Sequence, residues 1–290
     1  MTQSEKPKQW WPSPAKLNLF LHITGQNEKG YHLLQSLFQL VDIGDQLAFE
    51  TTDDGIISLK TPLDGVAEQD NLIYKAAEKL QQHSSSPLGC NIWLDKRLPM
   101  GGGIGGGSSN AATTLVALNA LWNTQLSLSE LAEIGLTLGA DVPIFIHGKT
   151  AFAEGVGEKI TPTELPSPFY LIVFPNCHVS TAEIFAADDL IRNSAKIQWQ
   201  DYEFTKTRND CQKLVCDRYP KVANLLRQLL EYAPSRMTGT GACLFSVFDT
   251  FEQAEQVKRI LPEDCQAFVA KGINTSPLHE YLAKMQLTSA

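Results

Sequence analysis

The most distinctive feature of this 290-residue sequence is a glycine-rich run at residues 99–110, Pro-Met-Gly-Gly-Gly-Ile-Gly-Gly-Gly-Ser-Ser-Asn. Six of the seven residues 101–107 are glycine, the residue that loses the most backbone entropy in a helix or strand. Such a run suits a loop that turns tightly and lets another molecule approach its backbone. An apolar helical pattern resumes at 111–122, so we expect free N–H groups at a helix start to bind an anion such as phosphate.

Three familiar phosphate-binding motifs do not account for this run. Gly101, Gly103 and Gly106 formally match G-x-G-x-x-G, but residues 96–99 separate them from the preceding strand, and no acidic residue occurs in 119–125. The run ends without the lysine of a P-loop. It is also not the glycine loop of a protein kinase, because neither the H-R-D nor the D-F-G motif of that family follows it. A flexible linker is the structural alternative, which the helical pattern immediately after the run disfavours.

Two charged residues outside the run also have the chemistry of a site. Residues 15–23 alternate with a period of two, which predicts a half-buried strand with Lys16 and Asn18 on the same face. The opposite face is apolar and contains Leu17, Leu19, Leu21 and Ile23. Asp141 precedes Val-Pro at a predicted helix start, where the residues alone allow either a helix cap or a catalytic carboxylate.

The elements that must position these residues occur in both halves of the chain and predict an α+β fold. Strands are predicted at 46–51, 56–60, 90–94, 169–174, 243–248 and 267–271, and helices at 71–82, 111–122, 127–139, 181–191, 210–217, 222–232 and 251–260. The proline-rich stretch 161–168 is the best boundary between two lobes. We therefore expect an N-terminal lobe at 1–160 and a C-terminal lobe at 161–290.

Composition and charge argue against several classes of function and location. Lys and Arg number 24 against 32 Asp and Glu, and this net charge of −8 is unfavourable for broad binding to nucleic acid or to an anionic membrane. The sequence has no membrane-spanning run of 18 or more apolar residues, and its first residues lack the apolar core of a secretion signal. The six cysteines form no C-x-x-C pair, so we expect reduced thiols and a cytoplasmic location.

Three ordered motifs resemble those of the GHMP kinases, the family that includes galactokinase, homoserine kinase and mevalonate kinase. Residues 99–113 resemble the family's ATP loop, residues 14–19 (Pro-Ala-Lys-Leu-Asn-Leu) its N-terminal motif, and residues 238–242 (Thr-Gly-Thr-Gly-Ala) its C-terminal glycine loop. Residues 30–32, 95–100, 139–143 and 152–157 are similar to the branch whose acceptor is 4-diphosphocytidyl-2-C-methyl-D-erythritol. The likeness extends from Trp11 to about Leu278.

The resemblance implies roles for three groups of residues. Asp141 would accept the proton of the acceptor hydroxyl or orient it, and Lys16 would pair with Asp141 and offset charge on the transferred phosphoryl group. The residues implied to surround ATP are Lys96, Pro99, Met100, Gly101, Gly102, Gly103, Ile104, Gly105, Gly106, Gly107, Ser108 and Ser109. Those implied to bind the acceptor are Asn18, Tyr31, His32, Thr181 and Phe185, with Tyr31 and His32 holding the cytidine base.

The resemblance also implies a two-lobed α+β fold with the active site in the cleft between the lobes. The activity would be transfer of a phosphoryl group from ATP to the 2-hydroxyl of the cytidyl alcohol, a step towards isoprenoid precursors. Mg²⁺ is expected with the triphosphate, with no protein ligand assigned. No nucleic acid, membrane or obligatory protein partner is expected. The alternatives are a GHMP kinase for mevalonate, homoserine or a sugar, and a non-catalytic sensor that retains the fold.

Overall fold

One long antiparallel strand, β2 (His32–Thr52), is the centre of the sheet in this computed structural model, which describes residues 9–28 and 30–288. Along its length β2 pairs with β1 (Trp11–Gln26), β4 (Gly89–Asp95), β5 (Ala151–Gly155) and β10 (Gln266–Ile273). The sheet continues from β4 to β3 (Ile57–Leu59) on one side, and from β10 to β7 (Phe169–Phe174), β9 (Leu244–Phe248) and β8 (Ser235–Met237) on the other. Among the strand pairs of the described residues, only β3–β4 is parallel. The predicted α+β class is confirmed, because helices pack against a mainly antiparallel sheet.

The helices and strands have the following bounds. The strands are β1 Trp11–Gln26, β2 His32–Thr52, β3 Ile57–Leu59, β4 Gly89–Asp95, β5 Ala151–Gly155, β6 Lys159–Pro162, β7 Phe169–Phe174, β8 Ser235–Met237, β9 Leu244–Phe248 and β10 Gln266–Ile273. The α-helices are α1 Leu72–Ser84, α2 Gly106–Leu121, α3 Leu128–Leu136, α4 Val142–His147, α5 Thr181–Ala186, α6 Gln212–Arg218, α7 Pro220–Leu230, α8 Phe251–Lys258 and α9 Pro277–Thr288.

Most predicted elements are present, but their bounds differ, and the strand predicted at 46–51 is only the last part of β2, which begins at His32. The capping box that starts α3 is confirmed, because Ser127 and Glu130 bond each other's backbone N–H groups. Helix α5 ends at Ala186, five residues before the predicted end, since Ala187 is already extended. Strands β5, β6 and β8 and helix α9 were not predicted.

Strand β1 is buried on both faces, so the prediction of a half-buried strand is wrong. Lys16 is 2% exposed and Asn18 is 3% exposed, although their face alternates with the apolar one. The reason is that the polar face is covered by the glycine loop and by other side chains of the cleft. The polar groups on this face must therefore find partners in other elements, since buried polar groups are hydrogen-bonded.

Helix α2 begins five residues earlier than its apolar pattern predicts. Gly105 is the N-cap in the left-handed conformation, and Gly106 and Gly107 form the first turn. Nearly every residue from Ser109 to Leu118 is buried. The packing of this central helix therefore outweighs the low helix propensity of its first two residues.

The C-terminal helix α9 packs against the beginning of the chain. Leu278 belongs to the same buried cluster as Trp11 and the core face of α2. Tyr281 contacts Trp11 edge-on, with ring centroids 5.0 Å apart. Among the described residues, no helix is long and apolar enough to span a membrane. Residues 1–8, on which the expectation of no secretion signal depends, lie outside the described residues.

Candidate active site

A cavity of about 560 Å³ lies beside the polar face of β1. Residues from both halves of the chain line it, including Lys16, Asp141, Phe185 and Thr240. The glycine run contributes every residue from Pro99 to Ser108. The structure thus brings most of the predicted site residues to one cavity.

Lys16 and Asp141 form an ion pair inside this cavity. Lys16 Nζ lies 3.1 Å from Asp141 Oδ2, and the two side chains are 2% and 38% exposed. Lys16 Nζ also donates to Asn18 Oδ1 at 2.5 Å and to the carbonyl oxygen of Gly103 at 3.2 Å. The buried ammonium is therefore satisfied on three sides, whereas the carboxylate opens into the cavity. Asp141 precedes α4 but makes no side-chain capping bond, so the helix-cap alternative is not realised.

Asn18 is oriented by the elements on either side of it. Its Nδ2 donates to Ser36 Oγ at 2.8 Å, and Ser36 Oγ in turn donates to the carbonyl oxygen of Phe20 at 2.7 Å. Its backbone N–H donates to Thr238 Oγ1 at 2.8 Å. These bonds leave the amide in one orientation, with its oxygen directed at Lys16.

The two glycine loops contact each other at the base of the cavity. Cys243 N–H donates to the carbonyl oxygen of Gly102 at 3.0 Å. A Cβ atom on Gly103 would lie 2.6 Å from the carbonyl oxygen of Thr238, and one on Gly239 would lie 2.8 Å from that of Gly103. Only glycine allows the two backbones to approach this closely.

The start of α2 offers an anion site within the same cavity. The first N–H groups of an α-helix have no intrahelical acceptor, and here they belong to Gly106, Gly107 and Ser108. Ser108 lines the cavity. Ser109 is fully buried, and its hydroxyl accepts a hydrogen bond from Ser13 Oγ at 2.9 Å. Ser109 therefore stabilises the helix start through a buried contact with β1 and does not line the cavity.

Replacing Gly106 with Val is expected to raise the Kd for ATP at least about tenfold, the loss of one charge-assisted hydrogen bond. A Cβ at Gly106 would meet the flexible end of Lys96 at 3.2 Å, so the fold should persist while the branched side chain hinders approach to the helix start. Calorimetry of ATP binding, with thermal unfolding as the fold control, measures both effects.

Gly105→Val provides the contrast. Gly105 has a positive φ of 78°, and a Cβ there would lie 2.7 Å from Phe145 Cζ in the core. This variant should therefore lower the stability of the fold as well as the affinity for ATP. A folded Gly106→Val protein with unchanged ATP affinity would remove the start of α2 from the nucleotide site.

Lys96 is held in the cavity wall by a buried carboxylate that the sequence analysis did not identify. Asp45 Oδ2 lies 2.6 Å from Lys96 Nζ and accepts from Asn110 Nδ2 at 3.0 Å. Asp45 Oδ1 accepts the N–H groups of Arg97 and Leu98, both at 2.8 Å. Asp45 thereby joins the turn before the glycine run to the first turns of α2. Residues 40–49 contain two acids, Asp42 and Asp45, and no local pattern in the sequence distinguishes Asp45.

Thr181 and Phe185, both on α5, also line the cavity. The Thr181 and Thr240 hydroxyls are 2.7 Å apart, which connects α5 to the second glycine loop. His32 stacks on Phe185 with ring centroids 5.0 Å apart and an interplanar angle of 30°. Tyr31 is 64% exposed and, like His32, stands outside the cavity lining.

Other lining residues were also missed by the sequence analysis. They belong to the β3–α1 connection and to the start of α1, and they are Leu63, Val66, Asp70, Asn71 and Leu72. Their apolar side chains offer a surface for a planar ring, and Asp70 and Asn71 add a carboxylate and an amide. No local motif marks them in the sequence.

Within residues 9–28 and 30–288 there is no cluster of three or more His, Cys, Asp or Glu side chains that could hold a metal ion. The cavity lining carries two carboxylates, Asp70 and Asp141, together with scattered hydroxyl and amide oxygens such as that of Ser108. This set fits a Mg²⁺ ion held mainly by phosphate oxygens, not one enclosed in a protein cage.

Comparisons with known proteins agree with this geometry. Residues 71–149 match the GHMP kinases N terminal domain, and residues 189–267 match the GHMP kinases C terminal domain. A Pseudoalteromonas atlantica protein named 4-diphosphocytidyl-2-C-methyl-D-erythritol kinase is 64% identical, over 95% of this chain and 96% of its own. The chain belongs to the GHMP kinase family.

Other GHMP kinases resemble this one to different degrees. A Shewanella loihica protein of the same name as the P. atlantica relative is 58% identical, over 92% of this chain and 95% of its own. A crystal structure titled 4-(cytidine 5'-diphospho)-2C-methyl-D-erythritol kinase superposes with a TM-score of 0.77 at 28% identity, covering 91% of this chain and 99% of its own. A mevalonate kinase structure, at 17% identity and a TM-score of 0.65 over 92% and 100% of the two chains, shares the fold.

Proposed function

We propose that this GHMP kinase transfers the γ-phosphoryl group of ATP to the 2-hydroxyl of 4-diphosphocytidyl-2-C-methyl-D-erythritol, giving the 2-phosphate and ADP. The observation that carries the proposal is the Lys16–Asp141 pair in a cavity between a glycine-rich helix start and a His32–Phe185 aromatic stack. Relatives that carry this kinase name at 54–64% identity support the acceptor. The reaction belongs to the methylerythritol phosphate route to isoprenoids.

The proposed mechanism follows from the positions of the side chains. Residues 101–108 place the triphosphate at the start of α2, where N–H groups and the helix dipole stabilise negative charge. Asp141 accepts the proton of the acceptor hydroxyl, or orients that hydroxyl for in-line attack. Lys16 contacts Asp141 from its buried side and stabilises charge on the transferred phosphoryl group. Asn18 orients Lys16 through its side-chain oxygen.

Mg²⁺ is proposed to accompany the nucleotide and to neutralise charge on the β- and γ-phosphate oxygens when bound. The cavity's oxygen donors fit that arrangement, and we assign no protein ligand to the ion.

Two further features of the chain are proposed, its division into lobes and its location in the cell. The lobes are residues 1–160 and 161–290, with α9 returning to pack on the N-terminal lobe. The two family matches fall on opposite sides of this boundary. A cytoplasmic location is supported by six free cysteines.

ADP release in the presence of Mg²⁺ and each of three acceptors tests the function directly. The cytidyl alcohol should support turnover with a kcat/KM well above those for mevalonate and homoserine, because neither small acid reaches the aromatic stack. ADP release that is equal for all three, or greatest with mevalonate or homoserine, would contradict the proposed acceptor.

The variants Tyr31→Ala and His32→Ala should raise the KM for the cytidyl substrate by about 10- to 100-fold, since stacking on a base contributes about 1–3 kcal/mol. The KM for ATP should change little, because neither side chain is among the residues that line the cavity around the start of α2. Initial-rate kinetics with each substrate varied separately measure the two constants. An equal loss for ATP would place these residues in the nucleotide site or in the fold.

A further inference from the structure

Arg192 lies outside every sequence motif, yet it connects His32 with α5, two parts of the proposed acceptor site. Its Nε donates to His32 Nε2 at 3.0 Å. Its terminal nitrogens donate to the carbonyl oxygens of Phe185 (3.0 Å), Ala187 (2.6 Å) and Leu190 (3.2 Å). These carbonyls lie at and beyond the C-terminal end of α5, where backbone oxygens lack helical partners and a cation is favourable. One guanidinium therefore positions both His32 and the helix that carries Phe185.

The bond to His32 determines where the imidazole holds its proton. A guanidinium has donors only, so His32 Nε2 must accept and the proton of the neutral ring is on Nδ1. The other groups facing the ring are the Phe185 ring and the Gln26 amide, whose Nε2 lies 3.3 Å from the same His32 nitrogen. Burial and, secondly, the charge of Arg192 hold the pKa of His32 below its ordinary value, which keeps the ring neutral at neutral pH.

The other ring nitrogen is left to recognise a ligand. Among the described residues, Nδ1 has no hydrogen-bond partner, although its ring stacks on a side chain that lines the cavity. A buried or half-buried donor without an acceptor is unfavourable until a ligand supplies one. The structure therefore presents a single donor of fixed identity beside the aromatic stack.

We infer that Arg192 is a positioning residue for base selection, because it holds His32 as the Nδ1–H tautomer and so favours a pyrimidine whose N3 accepts a hydrogen bond. This inference rests on the proposed function. Cytosine has a lone pair at N3 and an acceptor at O2, whereas uracil carries a proton at N3. A fixed donor pairs with the first edge and opposes the second, so specificity arises from a mismatch as well as from a contact.

The free enzyme provides the first test. In protein labelled with ¹⁵N-histidine, long-range ¹H–¹⁵N spectra should assign His32 to the Nδ1–H tautomer. Arg192→Met should return it to the Nε2–H tautomer that predominates in water. A wild-type His32 that is protonated on Nε2 would overturn the inference, and this result does not depend on any substrate.

The second test compares the cytidyl acceptor with its uridyl analogue. The wild-type enzyme should prefer the cytidyl compound by about 10- to 100-fold in kcat/KM, the range expected when one polar contact becomes unpaired. Arg192→Met should move this ratio towards unity while the KM for ATP stays unchanged. Arg218→Met is the matched control, since it removes an exposed pair with Asp189 in the same region and should leave the ratio as in wild type.

A structural role alone would lower kcat/KM for both acceptors equally and leave their ratio unchanged, which would overturn the inference. If Arg192→Met does not fold, Arg192→Gln provides an amide that can either donate to or accept from His32 and so no longer fixes the tautomer, and its ratio gives the same decision. Failure of the wild-type enzyme to use the cytidyl acceptor would contradict the proposed function, and the tautomer measurement would still decide the role of Arg192.

Discussion

The Asp141→Asn variant is expected to bind ATP and the cytidyl alcohol but to turn over about 10²–10⁴ times more slowly than wild type, the usual contribution of general acid–base catalysis. Asparagine keeps the size of the side chain and removes both the negative charge and the proton acceptor. A loose phosphoryl-transfer transition state requires little deprotonation before attack, which sets the lower end of this range. Steady-state kcat, with calorimetric Kd values for each substrate, measures the effect.

The control for this variant is Asp217→Asn on α6. Asp217 pairs with Lys213 at 2.6 Å, but both side chains are more than half exposed, and such surface pairs contribute little. Its kcat should equal that of wild type. A folded Asp141→Asn enzyme with the kcat of this control would refute the role of Asp141.

The Lys16→Met variant is expected to lower kcat by about 10²–10³, as when one preorganised charge-stabilising donor is removed from an active site. Methionine fills a similar volume, so the packing of β1 should survive. The variant loses the three contacts of the ammonium, with Asp141, Asn18 and the carbonyl oxygen of Gly103. Lys213→Met, from the exposed pair, is the matched control and should retain full activity.

The double variant shows whether Lys16 and Asp141 act together. Because groups that act as a unit are strongly non-additive, its loss in kcat should be smaller than the product of the two single losses. The same cycle on Lys213 and Asp217 should show no coupling in kcat. Losses that multiply fully at Lys16 and Asp141 would mean that the two residues contribute independently, contrary to the proposed mechanism.

Several elements were predictable because their signals are local. The alternation at 15–23 predicted β1 and the shared face of Lys16 and Asn18, and a hydrogen bond now joins these two side chains. The capping box at 127–130 predicted the start of α3 for the same reason. The start of α2 was predicted wrongly because propensity argues against glycine in a helix, whereas burial of residues 109–118 favours it.

Residues identified only from the structure depend on contacts between distant parts of the chain. Asp45 and Asp42 are both acids of β2 that look alike in the sequence, and only the turn after β4 and helix α2, which fold over Asp45, distinguish it. Arg192 follows the short helix α5 in a segment of ordinary composition. Its hydrogen bond to His32 forms only when the segment after α5 packs against the start of β2. Neither contact has a sequence spacing that a motif could express.

From the sequence alone one could predict the kind of chemistry, namely a glycine loop at a helix start that suits an anion, and a lysine and an asparagine on one face of a strand. These features are predictable because backbone freedom and side-chain periodicity are local properties. Which groups meet in the cavity depends on the tertiary structure. It placed Asp141 against Lys16, packed one glycine loop on the other, and buried the polar face of β1. The physical reason is that long-range packing, together with the need of each buried polar group for a partner, selects these contacts.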